Sequence, residues 1–486
     1  MIYDKLLQIA ETAPATSGLR MSDTFISYAD AAQRVARLAS GLTERGIGKG
    51  DVVALLMPNS PEIFMVAHAL FAIGAIAMPL GLTGTHAELV SSATKSGLAA
   101  VVAAPQWIEA SKLLIAEVSP LAQLFPTTDL GAVERAPGTL PKVSGDTPAL
   151  YVFSSGSTGM PKVVPHTHGE LIADGNRTSS AWGLTPADLV INILPPNFAM
   201  GFLLGAIDSL SGGATTLYWS DPLPLALSRR KLLETMSARG VTLMGAVPAM
   251  YEIIAGQSGA FDLTKLRLAF SGGAALKRPT FDAMRERFHV TLRQAYGSSE
   301  AIFVAQNNSA DPDADWASVG PPAGDAEVRI APFETELGPN VGELLVRSSS
   351  LMQGYLGDAA ANATSFEDGW FRSGDLAALD ANGNITIRGR SKLLIEVSGY
   401  KIDPIEGEDS LAAHPAVNEA AVIGVADKGT GNRLRAYVVR DRQVSPDDLI
   451  RHVRSRLSPQ KAPEEIEFVD ALPKSPTGKL LRGRLG

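Results

Sequence analysis

Short apolar runs alternate with amphipathic, helix-like patterns over most of the chain. Runs of this length are typical of buried strands. Strands separated by helix-length segments favour parallel α/β layers, because a crossover between parallel strands needs a long connection. The predicted strands cover residues 52–57, 99–102, 149–153, 189–194, 241–244 and 266–270.

Beyond about residue 320, apolar and polar residues alternate, and Gly and Pro become frequent. This alternation, at residues 327–330 and 342–347, favours a more antiparallel, β-rich subregion. We predict a domain boundary near residues 389–392, because a strand pattern ends there and about 95 residues remain for a second compact unit. The predicted domains are residues 1–390 and 391–486, the second with strands at 420–425, 434–439 and 465–469 and a helix at 446–457.

Residues 64–82 form the longest nearly uncharged segment, and its length approaches that of a membrane span. Gly74 and Pro79 interrupt the segment, and Pro61 opens it as a helix start would. We therefore predict a buried helix followed by a short central strand at 75–79, and no membrane span.

Composition narrows the class of protein. The chain has 486 residues, of which 45% are hydrophobic and 19% charged, as expected for a globular protein of two or more domains. The net charge of -8, without a basic run interleaved with aromatics, disfavours a nucleic-acid partner. The absence of cysteine excludes disulfides, thiolate nucleophiles and zinc–thiolate sites. The first residues do not resemble a signal peptide, so a cytoplasmic protein is expected.

Residues 154–162, Ser-Ser-Gly-Ser-Thr-Gly-Met-Pro-Lys, place six small or hydroxylated residues between a predicted strand and a lysine. Such a loop can turn backbone N–H groups toward an anion, while its hydroxyls and Lys162 add donors and charge. A phosphate site is one interpretation, and a surface connector is the other. A Walker loop is excluded, because Pro161 precedes the lysine and Val163 follows it.

Four further motifs follow in order: Tyr296-Gly297-Ser298-Ser299-Glu300, Ser373-Gly374-Asp375, Gly389-Arg390-Ser391-Lys392 and Pro476-Thr477-Gly478-Lys479. With these motifs, essentially the whole chain resembles the adenylate-forming superfamily, which includes acyl- and aryl-CoA synthetases, adenylation domains of nonribosomal peptide synthesis and beetle luciferases. The resemblance implies an α/β fold with a large N-terminal domain of layered α/β subdomains plus a β-rich subregion. It also implies a small, mobile α+β C-terminal domain.

The implied reaction begins with attack of a carboxylate on the α-phosphorus of ATP, which gives an acyl-adenylate and pyrophosphate. Two anions must approach each other, and a lysine between them offsets their repulsion. By resemblance this lysine is Lys479; otherwise it is a solvated lysine near the end of the chain. Glu300 is the expected Mg²⁺ ligand, assisted by the hydroxyl of Thr158.

The resemblance also assigns the nucleotide contacts. Tyr296 is expected against adenine, or else is a core aromatic; Asp375 is expected on the ribose hydroxyls and Arg390 on ribose or phosphate. Lys392 occupies the hinge position, where rotation rebuilds the site for thioester formation with coenzyme A. The nucleotide-binding set is Ser154, Ser155, Gly156, Ser157, Thr158, Gly159, Lys162, Gly273, Ala274, Ala295, Tyr296, Gly297, Ser298, Ser299, Asp375 and Arg390.

The acid pocket has an apolar character. Ala199 stands where relatives that activate amino acids carry an aspartate, and an unpaired ammonium in such a pocket would be costly. Phe198 stands where many relatives have a histidine. These residues favour an apolar aryl acid or a short- to medium-chain aliphatic acid. The predicted lining is Asn197, Phe198, Ala199, Met200, Gly245, Gly272 and Ala301.

Several alternatives stay open at this point. The acyl acceptor is coenzyme A or the phosphopantetheine arm of a separate carrier protein. A luciferase-like oxygenase and a catalytically silent nucleotide-binding protein are rivals of another class. His166 and His168 lack a third ligand nearby, so we interpret them as structural. The oligomeric state is left open.

Overall fold

The computed structural model describes residues 1–81, 86–154, 162–334, 337–338, 340–397, 400–427, 431–474, 478 and 480–485. The chain forms two compact units. The first consists of Met1–Glu327 and Val346–Phe371, and the second of Val328–Leu345 and Arg372–Gly486. The domain boundary predicted at residues 390/391 is meant to separate a C-terminal domain that moves as a unit. A division by contacts does not test such movement, so this boundary stays a prediction.

The first unit contains two sheets with helices packed around them. Its helices are α1 (Ile2–Thr12), α2 (Tyr28–Glu44), α3 (Pro61–Ile73), α4 (His86–Thr94), α5 (Ile108–Val118), α6 (Leu130–Val133), α7 (His168–Trp182), α8 (Ala199–Leu203), α9 (Ser209–Ser211), α10 (Leu225–Arg239), α11 (Pro248–Ala255), α12 (Arg278–Phe288) and α13 (Ala359–Ser365). A π-helical turn, Leu204–Asp208, joins α8 to α9.

The strands of these two sheets follow the chain in order. They are β1 (Gly18–Met21), β2 (Thr24–Ser27), β3 (Val52–Leu56), β4 (Ile76–Pro79), β5 (Leu98–Ala103), β6 (Gln123–Pro126), β7 (Pro148–Phe153), β8 (Val163–Thr167), β9 (Leu189–Asn192), β10 (Thr215–Tyr218), β11 (Leu243–Ala246), β12 (Leu268–Ser271), β13 (Leu292–Ser298) and β14 (Ile302–Gln306).

The six-stranded sheet has the order β6-β5-β3-β4-β7-β8 and is parallel except for its edge strand β8. Strands β3 and β4 are buried along their whole length, as parallel strands covered on both faces are. The predicted helix and strand within residues 64–82 are confirmed. Helix α3 begins at Pro61 and ends at Ile73, and the next residue, Gly74, has a φ of 73° that lets the chain turn into β4.

The eight-stranded sheet has the order β14-β13-β12-β11-β9-β10-β1-β2. Its middle strands are parallel, so the carboxyl ends of β9, β11, β12 and β13 meet at one edge, which is where open α/β sheets bind ligands. Strand β11 begins two residues later than predicted, because Val241 donates its N–H to Met236 O and so closes the end of α10.

The second unit is rich in β-structure. Its strands, some of which cross the division between units, are β15 (Glu327–Pro332), β16 (Gly342–Arg347), β18 (Trp370–Leu379), β19 (Ile385–Arg390), β20 (Ile395–Val397), β21 (Tyr400–Ile402), β22 (Val417–Asp427), β23 (Gly431–Arg440) and β24 (Glu465–Phe468). Strand β17 (Phe366–Glu367), in the first unit, pairs with the start of β18.

Strands β22 and β23 form an antiparallel hairpin, and β24 lies parallel to β23. Helices α14 (Pro404–Ala412) and α15 (Pro446–Arg454) pack on this sheet through Leu411, Leu449 and Val453. Helix α15 ends at Arg454, before the predicted residue 457, where Arg456 donates its N–H to Val453 O and tightens the last turn. Within the residues described, the structure contains no helix long and apolar enough to cross a membrane.

Candidate functional site

The motif covers the last residues of β13, Tyr296–Ser298, and the first two residues, Ser299 and Glu300, of the tight turn that leads into β14. A Cβ atom on Gly297 would lie 2.0 Å from Ile302 O, so only glycine fits there. Ile302 itself has a φ of 55°, a left-handed conformation that β-branched residues rarely adopt and that costs about 1–3 kcal/mol. The surrounding contacts must therefore hold this turn in place.

Hydrogen bonds fix the backbone of the turn at successive residues. Ser299 O accepts a hydrogen bond from His166 Nε2 at 2.7 Å, and the Ser299 hydroxyl donates to Phe153 O at 3.1 Å. Glu300 O accepts one from the N–H of Met352 at 2.9 Å. His166 thus acts on the turn itself, in keeping with a structural interpretation.

The side chain of Glu300 is held by an aromatic residue that no sequence motif indicates. The hydroxyl of Tyr355, whose side chain is largely buried, donates to Glu300 Oε1 at 2.9 Å. The ammonium of Lys162 lies 4.4 Å from the centroid of the same ring. Glu300 and Lys162, which are predicted from separate motifs, thus contact the same tyrosine, Glu300 at its hydroxyl and Lys162 over the face of its ring.

These groups fit a magnesium–phosphate ligand. Mg²⁺ in nucleotide sites is usually held by one or two carboxylates together with phosphate oxygens. An ionised carboxylate offers about four acceptor sites, and the bond from Tyr355 takes one of those of Glu300. In the described part of the chain, no group of three or more His, Cys, Asp or Glu side chains could hold a metal ion by itself.

Part of the predicted nucleotide site lies outside the described residues. Ser154 donates its N–H to Lys162 O at 3.0 Å, so the two ends of the glycine-rich loop meet. Gly478 has a φ of 79°, and a bridge between Lys474 and Leu480 closes the C-terminal loop around it. The predicted site residues that lie outside the described ranges are Ser155, Gly156, Ser157, Thr158, Gly159 and Lys479.

Two predicted acid-pocket residues, Phe198 and Met200, lie beside the glycines that follow β12, Gly272 and Gly273. A Cβ on Gly273 would lie 3.2 Å from the Phe198 ring, and one on Gly272 would lie 3.5 Å from Met200 Sδ and 3.5 Å from Ala295 O. Gly273 has a φ of 81° and is exposed, as is the neighbouring Ala274. A side chain at position 273 would press on the Phe198 ring, whereas one at position 272 would begin at ordinary contact distance from Met200.

Apolar side chains form the base of this region. Met200 and Ala295 pack against a cluster that contains Trp182, Phe270 and Phe303. The ring centroid of Trp182 lies 4.6 Å from that of Phe270 and 5.6 Å from that of Phe303.

The remaining predicted pocket residues lie in different surroundings. The space over the Cα of Gly245 is filled by the Phe270 ring, and Ala301 is buried. Asn197 lies beside Gly81, where an added Cβ atom would come within 3.2 Å of the Asn197 side-chain nitrogen. Asn197 therefore lies apart from the apolar base, whereas Gly245 packs directly against Phe270, a member of that base.

In the second unit, Asp375 and Arg390 face each other across β18 and β19. Arg390 Nε donates to Asp375 Oδ1 at 2.5 Å, and Asp375 is 5% exposed. Gly374, with a φ of 73°, precedes Asp375 and accepts a hydrogen bond from Ser391. Lys392 is exposed in the short turn Ser391–Leu393 that follows β19.

Buried ionisable groups lie on α7 and on the π-helical turn. Burial raises the pKa of Asp174 to about 7, although Arg177 and the N–H of Phe303 act in the opposite direction. Burial, together with the charge of Asp174, also raises the pKa of Asp208 well above its ordinary value. None of these residues belongs to a motif, so sequence patterns give no signal for them.

Known proteins resemble this chain over nearly its full length. Residues 8–356 match the AMP-binding enzyme family, and residues 406–479 match the AMP-binding enzyme C-terminal domain. A feruloyl-CoA synthase from Amycolatopsis sp is 32% identical over 98% of this chain and 96% of its own length.

Two solved structures show the same fold. ATP-bound MatB from Rhodopseudomonas palustris has a TM-score of 0.89 and 26% identity, covering 100% of this chain and 98% of that one. The O-succinylbenzoate coenzyme A synthetase MenE from Bacillus subtilis, in complex with ATP and magnesium ion, has a TM-score of 0.87 and 26% identity, covering 99% and 98%. The predicted fold class, with several α/β sheets and a separate C-terminal domain, is confirmed.

Proposed function

The chain belongs to the AMP-binding enzyme family, and we infer that it is an AMP-forming acid–thiol ligase. The resemblance to the adenylate-forming superfamily is thereby confirmed. In the first half-reaction an acid oxygen bonds to the α-phosphorus of ATP and pyrophosphate leaves. In the second, the sulfur of coenzyme A bonds to the acyl carbon, AMP leaves, and the thiol proton is released.

The observation that carries this proposal is the arrangement of Lys162, Tyr355 and Glu300. Lys162 and Glu300 carry opposite charges and contact the same side chain, that of Tyr355. A site for a phosphate chain and its cation needs both charges, the ammonium for the phosphates and the carboxylate for the cation. Glu300 and the phosphate oxygens would hold Mg²⁺, which neutralises phosphate charge when bound. Tyr296 is assigned to the adenine ring, and Ser299 to the phosphates.

Further residues toward the C-terminus complete the proposed machinery. Asp375 accepts hydrogen bonds from the ribose hydroxyls, and Arg390 supplies a second contact to ribose or phosphate. Lys479 stabilises the charge that builds as the carboxylate approaches the α-phosphate. Lys392 is the hinge between the two half-reactions. These assignments follow the family motifs.

The acid is proposed to be aryl or otherwise apolar. Phe198 and Met200 lie against glycines, and the cluster of Trp182, Phe270 and Phe303 beneath Met200 is apolar. An unpaired ammonium or second carboxylate would lose its hydration against such walls. The similarity to a feruloyl-CoA synthase also favours an aryl acid.

A panel of carboxylic acids tests both the reaction and the acceptor. We expect pyrophosphate release with cinnamate-like and benzoate-like acids, and a thioester when coenzyme A is added. Alanine and succinate serve as the charged controls. The alternative acceptor, a carrier protein, is not favoured, because the relatives are named CoA synthases and CoA ligases. Rapid pyrophosphate release with thioester formed only on a carrier protein would overturn the choice of acceptor.

Lys479→Ala tests the assignment of the lysine. The variant should lose pyrophosphate release while keeping its fold. Lys474→Ala is the matched control, because Lys474 lies in the same loop and pairs with Glu419 at 2.7 Å. Wild-type adenylation by Lys479→Ala would end the assignment.

We also propose a cytoplasmic location, because ATP and coenzyme A, the two co-substrates, are abundant there. Fractionation of cells that express the tagged full-length chain tests this, and recovery in an extracytoplasmic fraction would contradict it.

A further inference from the structure

Helix α7 carries two charged side chains beneath the turn that bears Glu300. Asp174 is 1% exposed and Arg177 is 4% exposed. Burying charged groups is costly unless they are paired and hydrogen-bonded. The role of Asp174 and Arg177 can therefore be inferred from the groups that they contact.

Asp174 holds the strand on one side of the strained residue. Its Oδ1 accepts a hydrogen bond from the N–H of Phe303 at 3.1 Å. Phe303 directly follows Ile302, whose φ is 55°. The carboxylate thus fixes the backbone at the exit of the strained turn.

Arg177 acts on the other side of Ile302, through Ser350. Its Nη2 donates to Ser350 Oγ, and the Ser350 hydroxyl donates to Ala301 O at 3.2 Å. Ser350 is fully buried. Arg177 Nη1 also lies 3.4 Å from Asp325 Oδ1, so the guanidinium is balanced by two carboxylates. The backbone is therefore held at both residues that flank Ile302.

The segment that begins at Ser350 also contacts Glu300 directly. Met352 N–H donates to Glu300 O at 2.9 Å, and the Tyr355 hydroxyl donates to Glu300 Oε1 at 2.9 Å. Arg177, by fixing Ser350, thereby orders the segment that orients the carboxylate.

We propose that Asp174 and Arg177 are positioning residues that aim the Glu300 carboxylate at the magnesium of bound nucleotide, through Ser350 and the backbone on either side of Ile302. The proposal rests on the proposed role of Glu300 as the magnesium ligand. Partners that orient metal ligands typically change metal affinity or activity by about 10- to 100-fold when they are removed.

The test measures Mn²⁺ binding by electron paramagnetic resonance, on the full-length protein saturated with a non-hydrolysable ATP analogue. Asp174→Ala should weaken Mn²⁺ binding by about tenfold or more. Asp174→Asn should restore most of the affinity, because an amide oxygen can still accept from the N–H of Phe303. Ser350→Ala, a small change in volume, should also weaken binding. Pyrophosphate release should fall in parallel.

The matched control is Asp188→Ala, which breaks a second aspartate–arginine pair near the C-terminal end of α7 without touching the turn. It should bind Mn²⁺ as the wild type does. If Asp174→Ala fails to fold by circular dichroism, Ser350→Ala decides the matter.

Glu300→Gln separates the two levels of the proposal. If Glu300→Gln binds Mn²⁺ normally, the assignment of Glu300 fails and the positioning proposal fails with it. If Glu300→Gln loses Mn²⁺ while folded Asp174→Ala and Ser350→Ala bind it normally, the positioning proposal alone is overturned. Equal losses in Asp188→Ala and Asp174→Ala would also overturn it.

Discussion

Two aspartate–arginine pairs at helix α7 differ in geometry and in the resulting electrostatics. At the C-terminal end of α7, Arg267 donates to both oxygens of Asp188, at 2.8 and 2.9 Å, and to the helix carbonyl of Trp182. Within α7, Arg177 comes only to 3.8 Å from Asp174 and donates its hydrogen bond to Ser350. In the first pair the aspartate and the arginine bond directly to each other. In the second pair each side chain bonds instead to a residue at or beside the turn that carries Glu300.

The pKa values of the two aspartates move in opposite directions. Burial acts to raise the pKa of Asp188, but hydrogen bonds from Arg267, Thr242 and Thr185 outweigh it and lower the pKa. For Asp174, burial outweighs Arg177 and raises the pKa to about 7. A bidentate pair with a half-exposed arginine more than offsets the cost of burying its carboxylate, whereas the buried, poorly aligned pair offsets only part of that cost.

Removing Arg177 should lower the free energy of unfolding most, and removing Arg267 should lower it less. Arg177→Met leaves a buried carboxylate without its cation and should lower the free energy of unfolding by about 3–5 kcal/mol. Arg267→Met leaves Asp188 with its threonine donors and should cost about 1–2 kcal/mol. Urea titrations at pH 8 measure both values. Equal losses would mean that the pairs do not differ as described.

The next effect is a pH dependence. Because the folded pKa of Asp174 lies above its ordinary value of 3.8, its stabilising contribution is present below pH 3.8 and is lost as the pH rises through about 7. Between pH 5 and pH 7.5 the wild type should lose on the order of 2–3 kcal/mol relative to Asp174→Asn. Nearby Asp208, whose pKa is also raised, shares this titration.

Asp188→Asn is the contrast for that experiment. The carboxylate of Asp188 has a lowered pKa, so its contribution is present above pH 3.8 and is lost only as the pH falls below that value. The stability difference from wild type should therefore stay flat between pH 5 and pH 7.5. Similar slopes for both variants in thermal unfolding would refute the contrast.

The smallest expected effect lies on the other side of Glu300. Tyr355→Phe removes the hydrogen bond to Glu300 Oε1 but keeps the ring beneath Lys162. Metal affinity with a non-hydrolysable ATP analogue should fall by about tenfold, the value of one hydrogen bond to a charged group. Tyr28→Phe, which loses a buried bond to Ala214 O, should leave that affinity unchanged. A wild-type titration for Tyr355→Phe would show that the hydroxyl does not orient Glu300.

The sequence predicts features that are encoded locally. Apolar runs located β3, β4 and α3, because strands buried on both faces and wholly buried helices leave an unmistakable pattern. Motif order located the turn that carries Glu300, and Gly297 marks the close approach that this turn requires. The assignments of individual site residues stay predictions.

Contacts between distant segments could not be predicted. Tyr355 reaches Glu300 across 55 positions of the chain, and no periodicity connects them. Asp174 and Arg177 lie on a helix with many polar residues, where patterning assigns such residues to solvent, yet both are buried. Their roles depend on three-dimensional contacts with Phe303 and Ser350 rather than on local sequence.

Acid-dependent exchange of labelled pyrophosphate into ATP is the most direct assay of acid activation by this protein, because it reports the reversible formation of an acyl-adenylate without any acceptor. We expect exchange with an apolar aryl acid, none without acid, and loss of exchange in Lys479→Ala and Glu300→Gln. Exchange that proceeds equally well without acid would contradict acid activation by this protein. The absence of exchange with every acid in the panel would contradict it too.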